Sequence, residues 1–393
     1  MPMIRPFLRP LYLACAFEKG DLLSIALQQN LTISPFPPPP TQSLEWEKLG
    51  IAPMDVNAHV ECGYSVSTGH WSEPRLVEDP LLRIHGLAPG LNYGQQAFEG
   101  MKAYRDPQGN INVFRPKDHA ARLALSCSAV AIPTIPEDLF LRSVNLVIAS
   151  NAEYVPPHDT DAALYIRPLV FGSDPFFAVS AGTGYKFCIY VQPYRAYHGS
   201  QPIPALILED LDRAAPKGVG HVKVGGNYGP VLKWSDQARA EGYFITLHLD
   251  SRTNSEIDEF STSGFIGLKK TGDSFTVVVP SSRSILKSVT STTCLDLARS
   301  LGWNVEVRPI PYPELQYFSE VIAVGTAAML VSIKSITRRS TEETFAYSTD
   351  GSGDGCKQLQ QALLDIQKGR VKSNEDWLWQ VSPVEQPSGD ENA

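Results

Sequence analysis

The residues His221-Val222-Lys223-Val224-Gly225-Gly226-Asn227-Tyr228-Gly229 place a lysine directly before a Gly-Gly pair. Two more glycines precede it, in Lys217-Gly218-Val219-Gly220. Glycines let the backbone pass close to something bulky. A lysine in such a tight, partly desolvated place can lose its charge and act as an imine-forming nucleophile. A surface lysine beside a flexible loop gives the same pattern, so this run alone leaves both readings open. The spacing that follows predicts a helix over Asn227–Ala240.

Three other segments carry possible chemistry. Ile257-Asp258-Glu259-Phe260-Ser261-Thr262-Ser263-Gly264-Phe265 puts an acid before small hydroxyl residues, either a cofactor cradle or a polar loop. Val113-Phe114-Arg115-Pro116-Lys117-Asp118-His119-Ala120-Ala121-Arg122 sets two arginines about two helical turns apart. Either can bind phosphate through its rigid fork, or lie on a solvated basic face. Ser288-Val289-Thr290-Ser291 precedes an expected helix ending at Gly302. Hydroxyls and free N–H groups at a helix start suit an anion, and they equally suit a plain N-cap.

The chain has 393 residues, which by typical domain sizes of about 150 residues suggests two domains. Hydrophobic residues make up 43% and charged residues 19%, a composition that excludes wholesale disorder. A formal charge of −8 argues against nucleic acid as a partner. No apolar run reaches the roughly 18 residues that span a bilayer, so no membrane role is expected. Cys15, Cys62, Cys127, Cys188, Cys294 and Cys356 form no CxxC and no zinc spacing, so neither a disulfide framework nor a metal is expected. A reducing, intracellular compartment fits that usage. The acid-free Met1–Phe17 segment, with Arg5 and Arg9, also admits a mitochondrial presequence.

Strands are expected at Asn112–Phe114, Ala162–Phe171, Lys186–Gln192, Ala205–Leu208, Tyr243–Leu249, Phe275–Val279, Asn304–Pro309 and Glu320–Val324. Helices are expected after Pro116, from Pro136 to about Tyr154, and over Ser291–Leu301 and Cys356–Gln367. Strands outnumber helices and several are adjacent, which points to a mixed α/β fold. The expected division is a 1–43 extension with a proline-rich arm and a small α/β domain at 44–193. A connector at 194–204, a larger α/β domain at 205–381 and a polar tail at 382–393 follow.

Together and in this order, the segments resemble the branched-chain amino-acid aminotransferases of fold type IV. Tyr93-Gly94-Gln95-Gln96-Ala97-Phe98-Glu99-Gly100-Met101-Lys102-Ala103-Tyr104 is similar to the family's "FEGMKAY" stretch. Leu164-Tyr165-Ile166-Arg167-Pro168 matches "LYIRP", Lys223 with Gly225–Gly229 matches "KxGGNYG", and Gly325-Thr326-Ala327 matches "GTA". The resemblance implies two α/β domains with pyridoxal 5′-phosphate (PLP) in the cleft between them, in a homodimer. It implies that Lys223 is the Schiff-base lysine and proton shuttle, and that Glu259 pairs with the pyridine nitrogen. Arg122, the backbone of Val289 and Thr290, and the Thr326 hydroxyl would hold the phosphate. Tyr228 would meet the cofactor's phenolic oxygen, and Thr262 would complete the cofactor set. Tyr93, Phe98 and Tyr197 would wall an apolar substrate pocket. Tyr165 and Arg167 would bind the side-chain carboxylate of glutamate, and the N–H groups of Thr326 and Ala327 the α-carboxylate.

The implied reaction is ping-pong transfer between branched-chain or similar apolar L-amino acids and 2-oxoglutarate, as in amino-acid biosynthesis. Three departures from the family pattern stand near the cofactor. Gly264 replaces the asparagine of "GTMN", His119 that of "FRPxxNxxR", and Lys287, Ser288 and Ser291 replace residues of "LPGVTR". They suggest a divergent branch, open to a specialised pathway and a non-standard amino acid. Competing readings are a D-amino-acid or (R)-amine transaminase, an aminodeoxychorismate lyase, and a catalytically silent binding protein on the same fold.

Overall fold

Residues 35–195, 201–347, 351–372 and 376–384 are described by a computed structural model. The Arg5/Arg9 segment, Tyr197 and most of the polar tail lie outside them.

The first half of the chain builds one antiparallel sheet. Its strands are β1 (His59–Ser65), β2 (His70–Trp71), β3 (Arg75–Val77), β4 (Gln96–Phe98), β5 (Met101–Arg105), β6 (Ile111–Phe114), β7 (Ala162–Gly172) and β8 (Gly184–Arg195). β7 and β8 form its spine, paired from Ala162↔Arg195 to Gly172↔Tyr185. The helices Pro116–Ala129 and Glu137–Ala149 pack on this sheet. Leu123, Phe140, Val144, Ile148 and Phe187 fill the layer between.

The second half builds a mixed sheet. Its strands are β9 (Ile203–Ile207), β10 (Ile245–Leu249), β11 (Ile257–Phe260), β12 (Gly264–Thr271), β13 (Ser274–Pro280), β14 (Asn304–Arg308), β15 (Glu320–Gly325), β16 (Met329–Arg338) and β17 (Glu343–Ala346). They run β11-β10-β9-β16-β15-β12-β13-β14, with β17 beside β16. The pairs β9–β10, β9–β16 and β13–β14 are parallel. The helices Val289–Ser300 and Asp354–Gln367 cover one face through Leu297, Leu359 and Leu363. A last strand, β18 (Leu378–Gln380), returns to the first sheet and pairs with β6.

The mixed α/β class is as expected from the strand and helix pattern. Several local expectations change. The helix expected from Asn227 starts at Val231, because Gly225–Asn227 form a short 3₁₀ turn and Pro230 stands at the N-cap. The helix expected to reach Tyr154 stops at Ala149. The buried Asn151 side chain ends it, donating to the carbonyls of Val147 and Ala58 and accepting from the Asn57 N–H. Strand structure takes up both ends of the expected 194–204 connector, since β8 runs through Arg195 and β9 begins at Ile203. The strand β5 shows no alternation because all five residues are buried, Lys102 and Arg105 included. Arg105 is satisfied there by the carbonyls of Pro38, Gly109, Ala152 and Val155.

Phe187 is fully buried and stacks on Phe140, with ring centroids 6.0 Å apart. Phe187→Ala is expected to cost about 3–5 kcal/mol. A lowered urea midpoint with an unchanged slope would show it.

Candidate active site

Val222 and Val224 are buried in the core under the first sheet, at 0% and 2% exposure. Extended backbone alternates sides, so the Lys223 side chain is turned away from that core. The backbone here is pinned on both sides. The Phe98 N–H donates to the Lys223 carbonyl at 3.1 Å, and the Lys223 N–H donates to Ser126 Oγ at 2.9 Å. Ala97 and Val224 form a β-bridge beside these bonds. Gly225 lies close against Gln96, whose amide Nε2 is 2.4 Å from where a Cβ would stand. The Asn227 amide closes the loop by donating to the carbonyls of Val219 and Val222. The turn then brings Tyr228 back over the lysine. Lys223 Nζ donates to the Tyr228 hydroxyl at 3.0 Å and lies 4.7 Å from the centre of the Phe98 ring.

Lys223 opens into a cleft between the two sheets, lined also by Gly100, Arg122, Tyr165, Arg213 and Glu259. The cleft encloses about 720 Å³, its open mouth included.

One end of the cleft is built for an anion. Arg122, on the Pro116–Ala129 helix, points its Nε and Nη2 at Glu99, at 2.6 and 2.9 Å. Its Nη1 donates to the Lys287 carbonyl. Glu99 is fully buried and also accepts from His119 Nδ1 at 2.7 Å and from the Gly100 N–H. Burial alone would raise the Glu99 pKa, but the Arg122 and His119 charges outweigh it and hold the carboxyl far below the usual range. The first turn of the Val289–Ser300 helix faces the same end, capped by Ser288 Oγ on the Ser291 N–H. Thr262, Ser263, Ser288, Thr290 and Thr326 also line the cleft. Two of the departures touch each other here, since a Cβ on Gly264 would lie 2.7 Å from Ser291 Oγ.

Glu259 and Arg213 face each other elsewhere in the cleft lining. Glu259 sits on β11 with 4% exposure, and burial pushes its pKa up to about 7 against the opposing charge of Arg213. Glu259 Oε1 and Arg213 Nη1 are both buried and have no hydrogen-bond partner. Orphaned buried groups of this kind are costly unless a ligand satisfies them.

Most of the residues singled out in the sequence meet in this cleft. Arg122, Tyr165, Lys223, Tyr228, Glu259, Thr262, Val289, Thr290, Thr326 and Ala327 all line it. Phe98 stands beside it, against Lys223 and Tyr228. Arg167 stacks over the Phe98 and Tyr165 rings and donates to the Tyr165 hydroxyl at 3.0 Å. Tyr93 does not line the cleft within one chain. It is exposed, and its hydroxyl donates to the Phe177 carbonyl at 2.6 Å. Tyr197 lies outside the described residues. Arg115 is structural, paired with Asp118 and stacked on Trp377. Sequence reasoning missed Arg213. Its only signal was an arginine before Ala214-Ala215-Pro216, just ahead of the glycine-rich run.

A family model for class IV amino-transferases matches residues 96–336, which is the part of the chain that builds this cleft. The chain is a class IV aminotransferase. It is 61% identical over 334 residues to aminotransferase atnJ of Emericella nidulans, covering 84% of this chain and 96% of that protein. It is 50% identical over 348 residues to the branched-chain amino acid aminotransferase gloG of Glarea lozoyensis, covering 87% and 97%. Among solved structures, the branched-chain amino acid aminotransferase from Escherichia coli superposes with a TM-score of 0.68 at 26% identity, over 83% of this chain and 99% of that one. The PLP form of the Thermobaculum terrenum enzyme shares the fold, with a TM-score of 0.67 at 22% identity, over 84% and 99%.

PLP is the cofactor of this aminotransferase family, and the cleft suits it. PLP presents a phosphate, an aldehyde and a ring nitrogen. The cleft presents an arginine, hydroxyl residues, a lysine, and a carboxylate with one unpartnered oxygen.

The Glu99 cluster makes a pH prediction. Its depressed carboxyl stabilises the fold fully above the ordinary Glu pKa of about 4.3, and that contribution is lost as pH falls toward the folded value. Urea midpoints measured from pH 6 to pH 3 should therefore fall more steeply in the wild type than in Glu99→Gln. The variant itself should start about 3–5 kcal/mol less stable, with Arg122 left unpaired.

Proposed function

We propose that this aminotransferase moves the amino group of branched-chain or similar apolar L-amino acids to 2-oxoglutarate, by a ping-pong sequence. The observation that carries the reading is the surface beside Lys223. There the apolar Phe98 ring and the Tyr165 ring are both overlain by the Arg167 guanidinium. Aromatic faces suit a branched aliphatic side chain, and the guanidinium suits the distal carboxylate of glutamate. One pocket thus offers a partner to each of the two substrates. The gloG name and the E. coli enzyme point the same way.

In this reading PLP supplies an electron sink that labilises the substrate Cα–H bond. Lys223 would hold the cofactor and move the proton at Cα. Tyr228 would orient the lysine and the cofactor's phenolic oxygen, and Glu259 would pair with the ring nitrogen. Arg122, Thr262, Thr326 and the first turn at Val289 and Thr290 would hold the phosphate. Tyr165 and Arg167 would orient the side-chain carboxylate, with Thr326 and Ala327 at the α-carboxylate. Tyr194 steadies that last loop, since its hydroxyl donates to the Ala327 carbonyl at 2.8 Å.

A homodimer belongs to the same proposal. Leu87, Leu91, Tyr93, Phe177 and Val179 are exposed, the last two at 82% and 85%. Backbone and hydroxyl bonds from Phe176 to Leu87 and from Tyr93 to Phe177 join them into one apolar patch. Patches of this kind mark association surfaces.

A substrate panel tests the specificity. L-Leu, L-Ile and L-Val should react with 2-oxoglutarate, while D-Ala and (R)-amines should not. Turnover of an (R)-amine without turnover of L-Leu would overturn the proposal. Lys223→Ala should lose the borohydride-fixable PLP, and its turnover should fall by about 10²–10⁴-fold. Gly100→Ala should push the Tyr165 hydroxyl out of the cleft, because the new Cβ would occupy its place. KM for 2-oxoglutarate should then rise more than KM for L-Leu.

A further inference from the structure

Arg213 has no role among the residues expected from the sequence, yet it is the charged group packed against Glu259. Its side chain is 2% exposed, and its Nη2 lies 3.6 Å from Glu259 Oε1. That separation is an ion pair without a hydrogen bond. Its Nε donates to the Ser261 carbonyl, two residues along the chain from Glu259. The Tyr228 ring covers its guanidinium, with the centroid 5.2 Å away. Its Nη1 is buried and unpartnered. A guanidinium recruited only for packing would have its donors satisfied by carbonyls, as Arg105 has.

The other groups facing Glu259 do not replace it. His248 stands opposite Glu259 on β10. Its Nδ1 donates to the Leu211 carbonyl, and its Nε2 accepts from the Thr246 hydroxyl. Burial and then the Arg213 charge push its pKa down to about 4, so it stays neutral. Asp258, the preceding residue, adds negative charge and opposes ionisation of Glu259. The Leu286 N–H and Lys223 favour the carboxylate, each less than Arg213 does. Lys223 is also the residue that PLP engages.

We propose that Arg213 is a positioning residue that keeps Glu259 in its carboxylate form, so that the proton shared between Glu259 and the PLP ring nitrogen resides on the nitrogen. The proposal rests on the reading of Glu259 as the ring's partner. The proton count is the same in both arrangements, and only its place differs. With Arg213 present the pair is carboxylate and pyridinium. Without it the pair becomes carboxylic acid and neutral ring, a weaker electron sink.

The test uses holoenzyme loaded with PLP labelled with ¹⁵N at the ring nitrogen. The wild type should give the chemical shift of a protonated nitrogen, and Arg213→Met should move it toward the unprotonated value. Arg213→Lys should restore it. The same Met variant should lose about tenfold or more in kcat with KM for the amino donor little changed, the pattern of an interaction made in the transition state. In a Glu259→Gln background, Arg213→Met should add less than about twofold, because its target is gone. An unmoved ¹⁵N shift in Arg213→Met, or an equal loss in the Gln background, would overturn the proposal. If Glu259→Gln alone leaves the shift at its wild-type value, the reading of Glu259 fails instead. Arg213→Gln, similar in polarity but uncharged, repeats the test should the Met variant not fold.

Discussion

Two hydrogen bonds on one residue hold the geometry of the cleft together. The Lys223 carbonyl accepts from the Phe98 N–H, and its N–H donates to Ser126 Oγ. Through them a loop of the second half of the chain is stitched to a strand and a helix of the first. The valines on either side are buried in the first core, so the lysine has one direction left to point. The cleft exists where it does because this loop is shared by both halves. Gly225 lets the chain lie against Gln96, and the Asn227 amide ties the loop to the Val219 and Val222 carbonyls.

The electrostatics of the cleft follow from buried charges that are paired unequally. At one end Glu99 is satisfied by Arg122, His119 and a backbone N–H. That arrangement fixes the arginine in the cleft lining, with Nη1 on the Lys287 carbonyl. Elsewhere in the cleft lining Glu259 and Arg213 are close enough to feel each other and too far apart to bond. Their unpaired atoms are a local cost in this chain alone. A ligand with complementary groups removes that cost, which links cofactor affinity to the stability of the site.

Much of the site was legible in the sequence because its residues travel in short, ordered runs. The runs around Lys223 and Glu259 each left a plain loop open, and it was their order along the chain, resembling one family, that singled them out. The segment around Phe98 and Gly100 and the Tyr165–Arg167 pair are likewise local patterns. What was not legible lies outside any run. Arg213 stands in a turn without a motif, and only the approach of that turn to β11 gives it meaning. The expectation for Tyr93 concerned a pocket wall, and within one chain its hydroxyl is spent on the Phe177 carbonyl. The strand β5 escaped notice because burial on both faces removes the two-residue alternation by which strands are read.

By itself, the sequence determined which candidate groups the chain brings to the cleft: a lysine among glycines, an acid, an arginine and an aromatic pair. It determined these because reactive groups and the backbone turns that carry them are encoded within a few residues. Tertiary structure decided which of those groups meet, and which charge state they hold when they do. Distances such as the 3.6 Å between Arg213 and Glu259 arise from packing a loop against a strand that is remote from it in the chain. Protonation depends on the water excluded by that packing, and no local run of residues specifies it.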